Sequence, residues 1–273
     1  MSDYFELYGK NKSDYVKTKS NFVKAPAPQP QKKSFQEQRE EEFASKLASL
    51  RRVPAIRQEA EPHRNYLKDY EFKSKPLIKS TSIEMLRDGF VAFDTETTGI
   101  KAAENSIIQL AAIRFENFEP TEAFMTFVKP KKPIPPEATA VNGITDNVVA
   151  NAPQFCEILP SFEEFIGKSP LVAHNAEFDC KFLYVHGMDS ICKKKVFDTL
   201  DISRKITRDY DGETLYNYKL STVCNHYKIY FSNAHTALAD SLAVGLLFVE
   251  LICERHEAYD KYSRNELLFG TMK

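Results

Sequence analysis

Gly89-Phe90-Val91-Ala92-Phe93-Asp94-Thr95-Glu96-Thr97-Thr98-Gly99 is the stretch that decides how this chain is read. The apolar run from Gly89 to Phe93 enters an acidic residue, which is the pattern of a central strand buried on both faces. Side chains two apart on a strand share a face, so Asp94 and Glu96 are expected to project together from its end. Gly99 then permits a turn. In open α/β sheets ligands gather beyond the carboxyl ends of the strands, where this acidic pair stands. Alone, Asp-Thr-Glu would read equally well as a solvated strand end.

Two further phrases lie outward from it. His174-Asn175-Ala176-Glu177-Phe178-Asp179 follows Leu171-Val172-Ala173, another apolar, strand-like run. Asn175 is expected to cap a helix starting near Ala176. Phe178, Phe182 and Leu183 recur at helical spacing, with Asp179 in the first turns. By itself Asp179 would be an acid satisfying a helix N-terminus, and His174 a hydrogen-bonded structural histidine. The third phrase is His235-Thr236-Ala237-Leu238-Ala239-Asp240. Five positions turn through about 140° on an ideal helix. His235 is therefore expected before a helix and Asp240 inside it, with Leu238, Leu242, Leu246 and Val249 supplying its apolar pattern.

The residue types suit one kind of chemistry. Hydrolysing a phosphodiester delivers hydroxide to a phosphorus shielded by negative oxygens, a task that two divalent ions about 4 Å apart perform together. Hard ions prefer carboxylate oxygens. Four carboxylates on one spot would repel one another without metal. A histidine near neutral pKa can take the proton of the attacking water.

In that order, the three phrases resemble the exonuclease motifs of the DEDDh family of 3′–5′ exonucleases. That family includes the epsilon proofreading subunit of bacterial DNA polymerase III and the exonuclease domain of Gram-positive replicative polymerases. The resemblance covers roughly residues 85–255. A tyrosine four residues before the last aspartate would mark the sister family, and Thr236 stands there. Val141-Asn142-Gly143-Ile144-Thr145, Val196-Phe197-Asp198-Thr199-Leu200 and Lys219-Leu220-Ser221-Thr222-Val223 are similar to the family's supporting segments. Asn142 departs from the histidine that many polymerase-linked members carry.

The resemblance implies an α/β chain with the ribonuclease H-like exonuclease fold: a five-stranded mixed sheet flanked by helices. It leaves the first eighty residues unexplained, and their composition reads as a largely flexible N-terminal arm. It implies that Asp94, Glu96, Asp179 and Asp240 hold two Mg2+ ions, with Mn2+ as substitute, and that His235 is the general base. The Thr97 amide would meet the terminal sugar, Ile100 would wedge against the last base, Phe178 would pack near the penultimate nucleotide, and Asn175 would orient the scissile phosphate region. The implied activity releases nucleoside 5′-monophosphates from a single-stranded or frayed 3′ end of DNA, in proofreading or repair. RNA as substrate, in the manner of oligoribonuclease and RNase T, stays open, because nothing in the motifs separates the two. A non-catalytic interaction module would need a broken ligand set, and all five positions are intact.

The 273 residues suffice for one sizeable domain with appendages. The formal charge of −1 hides an asymmetry. Residues 1–80 hold 17 Lys+Arg against 11 Asp+Glu, an excess of +6, and the remainder carries −7. A basic arm beside an acidic site suits an enzyme that binds a polyanion. Cysteines 156, 180, 192, 224 and 253 form no Cys-x-x-Cys pair, so a zinc site is not expected and reduced thiols in the cytoplasm are. The opening Met1-Ser2-Asp3-Tyr4 is no basic, apolar signal segment, and the stretch from Leu242 to Val249 is too short to span a membrane.

Three regions follow. Residues 1–80 read as a flexible basic arm with a proline-rich linker, Ala25-Pro26-Ala27-Pro28-Gln29-Pro30. Within it, residues 35–52 would form a short helix with Phe43, Leu47 and Leu50 on one stripe, transient or docked to a DNA polymerase or other replication protein. Residues 81–258 form the exonuclease domain and 259–273 a tail. Strand-like segments 89–95, 106–115 and 122–129 with short connections predict an antiparallel meander. Alternating helices and strands after it predict parallel additions to the same sheet.

Overall fold

The computed structural model describes residues 33–58, 70–75, 87–206, 214–231 and 236–255. The chain divides at Ser34/Phe35 into two units, and the second is described below. Its described elements run α1 (Phe35–Ser49), β1 (Arg51–Val53), β2 (Phe90–Thr97), β3 (Ile107–Glu116), β4 (Glu119–Phe127), α2 (Pro136–Asn142), α3 (Asp146–Val149), α4 (Phe155–Ile166) and β5 (Leu171–Ala173). They continue with α5 (Ala176–Val185), a 3-10 turn (Asp189–Lys193), β6 (Val196–Asp198), α6 (Thr199–Ile206), α7 (Leu220–His226) and α8 (Ala237–Arg255).

Alternation along β2 sets the layers. Phe90 and Ala92 enter a core shared with α6, α7 and α8, while Val91 and Phe93 enter a second core shared with α4 and α5. The strand is buried on both faces, as its unbroken apolar run requires. The sheet order is β1-β4-β3-β2-β5-β6. β2, β3 and β4 form the antiparallel meander, and β5 and β6 add in parallel. α8 is buried on all sides from Ser241 to Cys253 and mostly apolar, as a helix sunk in a core must be. It lies close to β3 only because residue 245 is glycine: a Cβ there would sit 2.1 Å from a ring carbon of Phe115. None of the described helices is long and apolar enough to cross a membrane.

Residues 35–58 and 70–75 differ from the flexible arm expected of residues 1–80. Phe43 and Leu50 are 4% and 5% exposed and belong to the α8 core. β1 pairs in parallel with β4, with Arg51 in an ion pair to Glu122, so the sheet has six strands rather than five. Gln58 and Lys75 donate backbone hydrogen bonds to Glu157 and Val196, and Tyr70 stacks on Tyr184 at 5.0 Å. The cause is an open sheet edge and apolar surface beside it, both covered by residues 35–75 where they are described. The proline-rich linker and the tail 259–273 lie outside the described residues.

Candidate active site

The alternation that builds the core also builds the site. Asp94 and Glu96 continue the Phe90/Ala92 face, toward α8, whose first turn carries Asp240. One carboxylate oxygen from each of Asp94, Glu96 and Asp240 lies within 4.8 Å of the others. Thr95 points the opposite way, toward α5. Its backbone N–H and its hydroxyl both donate to Oδ1 of Asp179, at 3.0 and 2.6 Å. The fourth carboxylate thus stands beside the trio, anchored to the same strand from the other layer.

The electrostatics are those of a site short of positive charge. Burial first, then repulsion from Asp179, Asp240 and Glu96, raises the Asp94 carboxyl well above its ordinary range. Burial, with Asp240 next, pushes Glu96 up to about 8. Burial pushes Asp179 up to about 7 against the pull of the Thr95 hydrogen bonds. Carboxyl groups held out of water and against one another take a proton or a cation. The donors are all hard oxygens, with no sulfur or imidazole among the described trio, and that set fits Mg2+ or Mn2+. Asp94 and Asp240 open into a cavity of about 730 Å³ also lined by His174, Asn175, Arg204, Tyr218, Lys219 and Phe231.

The family model described as Exonuclease (RNase_T) matches residues 91–248, which contain the whole acidic cluster. The chain belongs to this exonuclease family. The chemistry that names the family is exonucleolytic hydrolysis. The DNA polymerase III epsilon subunit of Treponema pallidum (strain Nichols) is 38% identical over 189 residues, 67% of this chain and 85% of that protein. DNA polymerase III PolC-type of Caldanaerobacter subterraneus subsp. tengcongensis is 34% identical over 179 residues, 65% of this chain and 12% of that protein. The chain thus matches only about an eighth of the PolC-type relatives' length. Among solved structures, the zinc-bound complex of E. coli exonuclease I with single-stranded DNA aligns with TM-score 0.54 at 22% identity, covering 61% of this chain and 41% of that one. Exonuclease X in complex with 5′ overhanging duplex DNA aligns at 0.50 and 21%, covering 66% and 97%. Those two likenesses are of fold.

Within the exonuclease site, the other expected residues divide. Asn175 lines the cavity, but it does not cap α5 with its side chain. It sits in the left-handed region at φ 63, which asparagine tolerates. The cap comes instead from Asp198 at the end of β6, whose carboxylate accepts from the N–H groups of Asn175, Ala176 and Leu200 at 2.9, 3.1 and 2.9 Å. Thr97, Ile100 and Phe178 are not among the described residues lining the cavity. Ile100 is 83% exposed on the loop after β2, and Phe178 packs on Phe182 with ring centroids 4.9 Å apart. His235 lies outside the described residues. His174 is a satisfied histidine: a carbonyl can only accept, so Nε2–H donates to Tyr218 O at 2.8 Å and Nδ1 meets the Thr199 hydroxyl at 2.9 Å. Burial holds its pKa down to about 4.

Besides Asp198, two positioning residues escaped the sequence reading. The Gln109 side chain on β3 accepts from the N–H of Ala237, the first residue of α8, at 2.9 Å, and so fixes the turn that carries Asp240. Asn142, at the end of α2, reaches Glu96 with its side-chain amide and lies 3.5 Å from Thr97 O. A signal existed for Gln109, the one polar residue in the apolar run from Ile107 to Ile113. Asn142 had none beyond its departure from the family pattern.

Proposed function

We propose that this chain is a 3′–5′ exonuclease that removes nucleoside 5′-monophosphates from single-stranded or frayed 3′ ends of DNA, in replication proofreading or repair. The observation that carries the reading is the convergence of Asp94, Glu96 and Asp240 within 4.8 Å, with Asp179 tied beside them through Thr95. Names among the relatives, an epsilon subunit and PolC-type polymerases, support DNA and a replication setting.

Asp94, Glu96, Asp179 and Asp240 would hold two divalent cations, Mg2+ or Mn2+. Bound there, the cations supply charge that lowers the pKa of water and steadies the leaving oxygen. His235 is assigned by its motif position as the base that takes the proton of the attacking water. The oxygen of that water bonds to phosphorus, the bond from phosphorus to the 3′-oxygen of the shortened strand breaks, and that oxygen takes a proton from solvent to become a 3′-hydroxyl. Asn175 on the cavity wall orients the scissile phosphate region. Thr97, Ile100 and Phe178 meet the terminal sugar and bases. Docking of a DNA polymerase or another replication protein on the basic residues 1–80 belongs to the same reading, and so does a cytoplasmic setting.

Matched DNA and RNA oligonucleotides, each labelled at the 3′-terminal nucleotide and mixed in one Mg2+ reaction, test the substrate. The reading predicts labelled mononucleotide released chiefly from DNA. Preferential release from RNA would move the chain to the oligoribonuclease kind.

A further inference from the structure

We propose that Arg204, Tyr218 and Lys219 form a strand-binding subsite for the phosphodiesters upstream of the scissile one. The inference rests on the 3′–5′ reading above. Arg204, from α6, and Lys219, just before α7, share one cavity with Asp94 and Asp240. Both side chains are exposed. Among the described residues neither forms an ion pair, although two carboxylates stand in the same wall. Cations kept in a cavity but off its acids are available to an anionic ligand.

The wall is held in place. Arg204 stacks its guanidinium over the Tyr218 ring, with Cζ 5.8 Å from the centroid. The Tyr218 carbonyl takes the His174 Nε2–H bond, which ties this loop to the end of β5. The Lys219 N–H donates to Asn217 Oδ1 at 2.9 Å, and its carbonyl accepts from Val223 in the first turn of α7. Phe231 adds a half-buried ring to the same cavity, itself stacked on Phe43 of α1 at 5.4 Å. Cations interleaved with aromatic rings are the composition of a groove for a single strand.

The chemistry of a 3′ end says which phosphates these cations meet. The terminal nucleotide ends in a hydroxyl, and its only phosphate is the scissile one, which the acidic cluster claims. Every other phosphate lies toward the 5′ side. The ligand of the subsite is therefore a single-stranded polynucleotide of at least three residues.

The test uses the full chain carrying Arg204→Gln and Lys219→Gln together, in Mg2+, on a thymidylate dinucleotide and a thymidylate octamer. The dinucleotide has the scissile phosphodiester alone. The KM for the octamer should rise roughly tenfold. The slope of log kcat/KM against log salt should become shallower by about 1.4, about 0.7 for each lost phosphate contact. The dinucleotide should change less than twofold. Arg204→Lys with Lys219→Arg should restore most of the octamer KM. Equal losses on both lengths, an unchanged octamer KM and salt slope, or no rescue by the charge-conserving pair would each overturn the subsite. If the unsubstituted chain hydrolyses neither length, the exonuclease reading itself falls, a failure visible without any variant.

Discussion

Thr95 gives Asp179 two hydrogen bonds on a single oxygen: its N–H at 3.0 Å and its hydroxyl at 2.6 Å both end on Oδ1. The strand that carries Asp94 and Glu96 on one face thereby orients, from its other face, the carboxylate that α5 contributes. Thr95→Val removes the hydroxyl and keeps shape and backbone. Loss of a buried bond to a carboxylate should cost about 1–3 kcal/mol in urea unfolding. Turnover should fall several-fold, with a raised Mg2+ requirement. Unchanged unfolding and turnover would mean that Asp179 needs no such anchor.

Without divalent cations the protein should lose stability as pH rises from about 4 to 8. Glu96 and Asp179, raised to about 8 and about 7, keep protons in the native state that the unfolded chain has already released. His174 acts at the other end. Held down to about 4, it stays neutral in the fold while the unfolded ring takes up a proton, so its contribution is lost as pH falls from about 6.5 toward 4. Thermal melts in EDTA should show Tm falling between pH 6.5 and 8.5. That slope should flatten in Glu96→Gln, and Mg2+ should raise Tm most at the alkaline end. A Tm independent of both pH and Mg2+ over this window would contradict a strained acidic cluster.

Gln109→Leu should expose the importance of a residue that touches no substrate. It leaves the buried N–H of Ala237 without its acceptor, at about 1–3 kcal/mol. Because Ala237 opens the helix of Asp240, Mn2+ affinity measured by titration should weaken along with stability. Weakened stability with unaltered Mn2+ affinity would make Gln109 a packing residue only.

The N-terminal region separates into two parts by its effect. Removing residues 1–34 should leave Tm close to that of the full chain, since Phe35–Lys273 forms a compact unit of its own. Removing residues 1–53 should destabilise it strongly, because α1 and β1 go with it. Phe43→Ala alone should cost about 3–5 kcal/mol, and should disturb Phe231 in the cavity. Equal Tm for both truncations would return residues 35–53 to the status of a tether.

What could be read from the sequence was what is written locally. β2 was legible because an apolar run ends in acids spaced by two. α8 was legible because its apolar residues recur around Asp240. β1 was not: Arg51-Arg52-Val53 has little strand character and exists through its neighbour β4, seventy residues on in the chain. Asn175 holds the N-cap position of α5 as expected, but the side chain that satisfies the start of the helix was not legible, for the same reason. Local chemistry favoured the adjacent asparagine, and the fold supplied Asp198 from another strand. Gln109 and Ala237 are 128 positions apart, a pairing that no window of sequence contains.

The central claim is that the clustered carboxylates run metal-dependent cleavage from the 3′ end. The most direct measurement is cleavage of a 5′-labelled single-stranded DNA by the full chain and by Asp94→Asn, each in Mg2+ and in EDTA. The account predicts that the unsubstituted chain in Mg2+ shortens the labelled strand one nucleotide at a time while the label stays on the polymer. EDTA should stop this, and Asp94→Asn should slow it by orders of magnitude with the fold intact. Immediate release of labelled mononucleotide, or equal cleavage in EDTA or by Asp94→Asn, would contradict it.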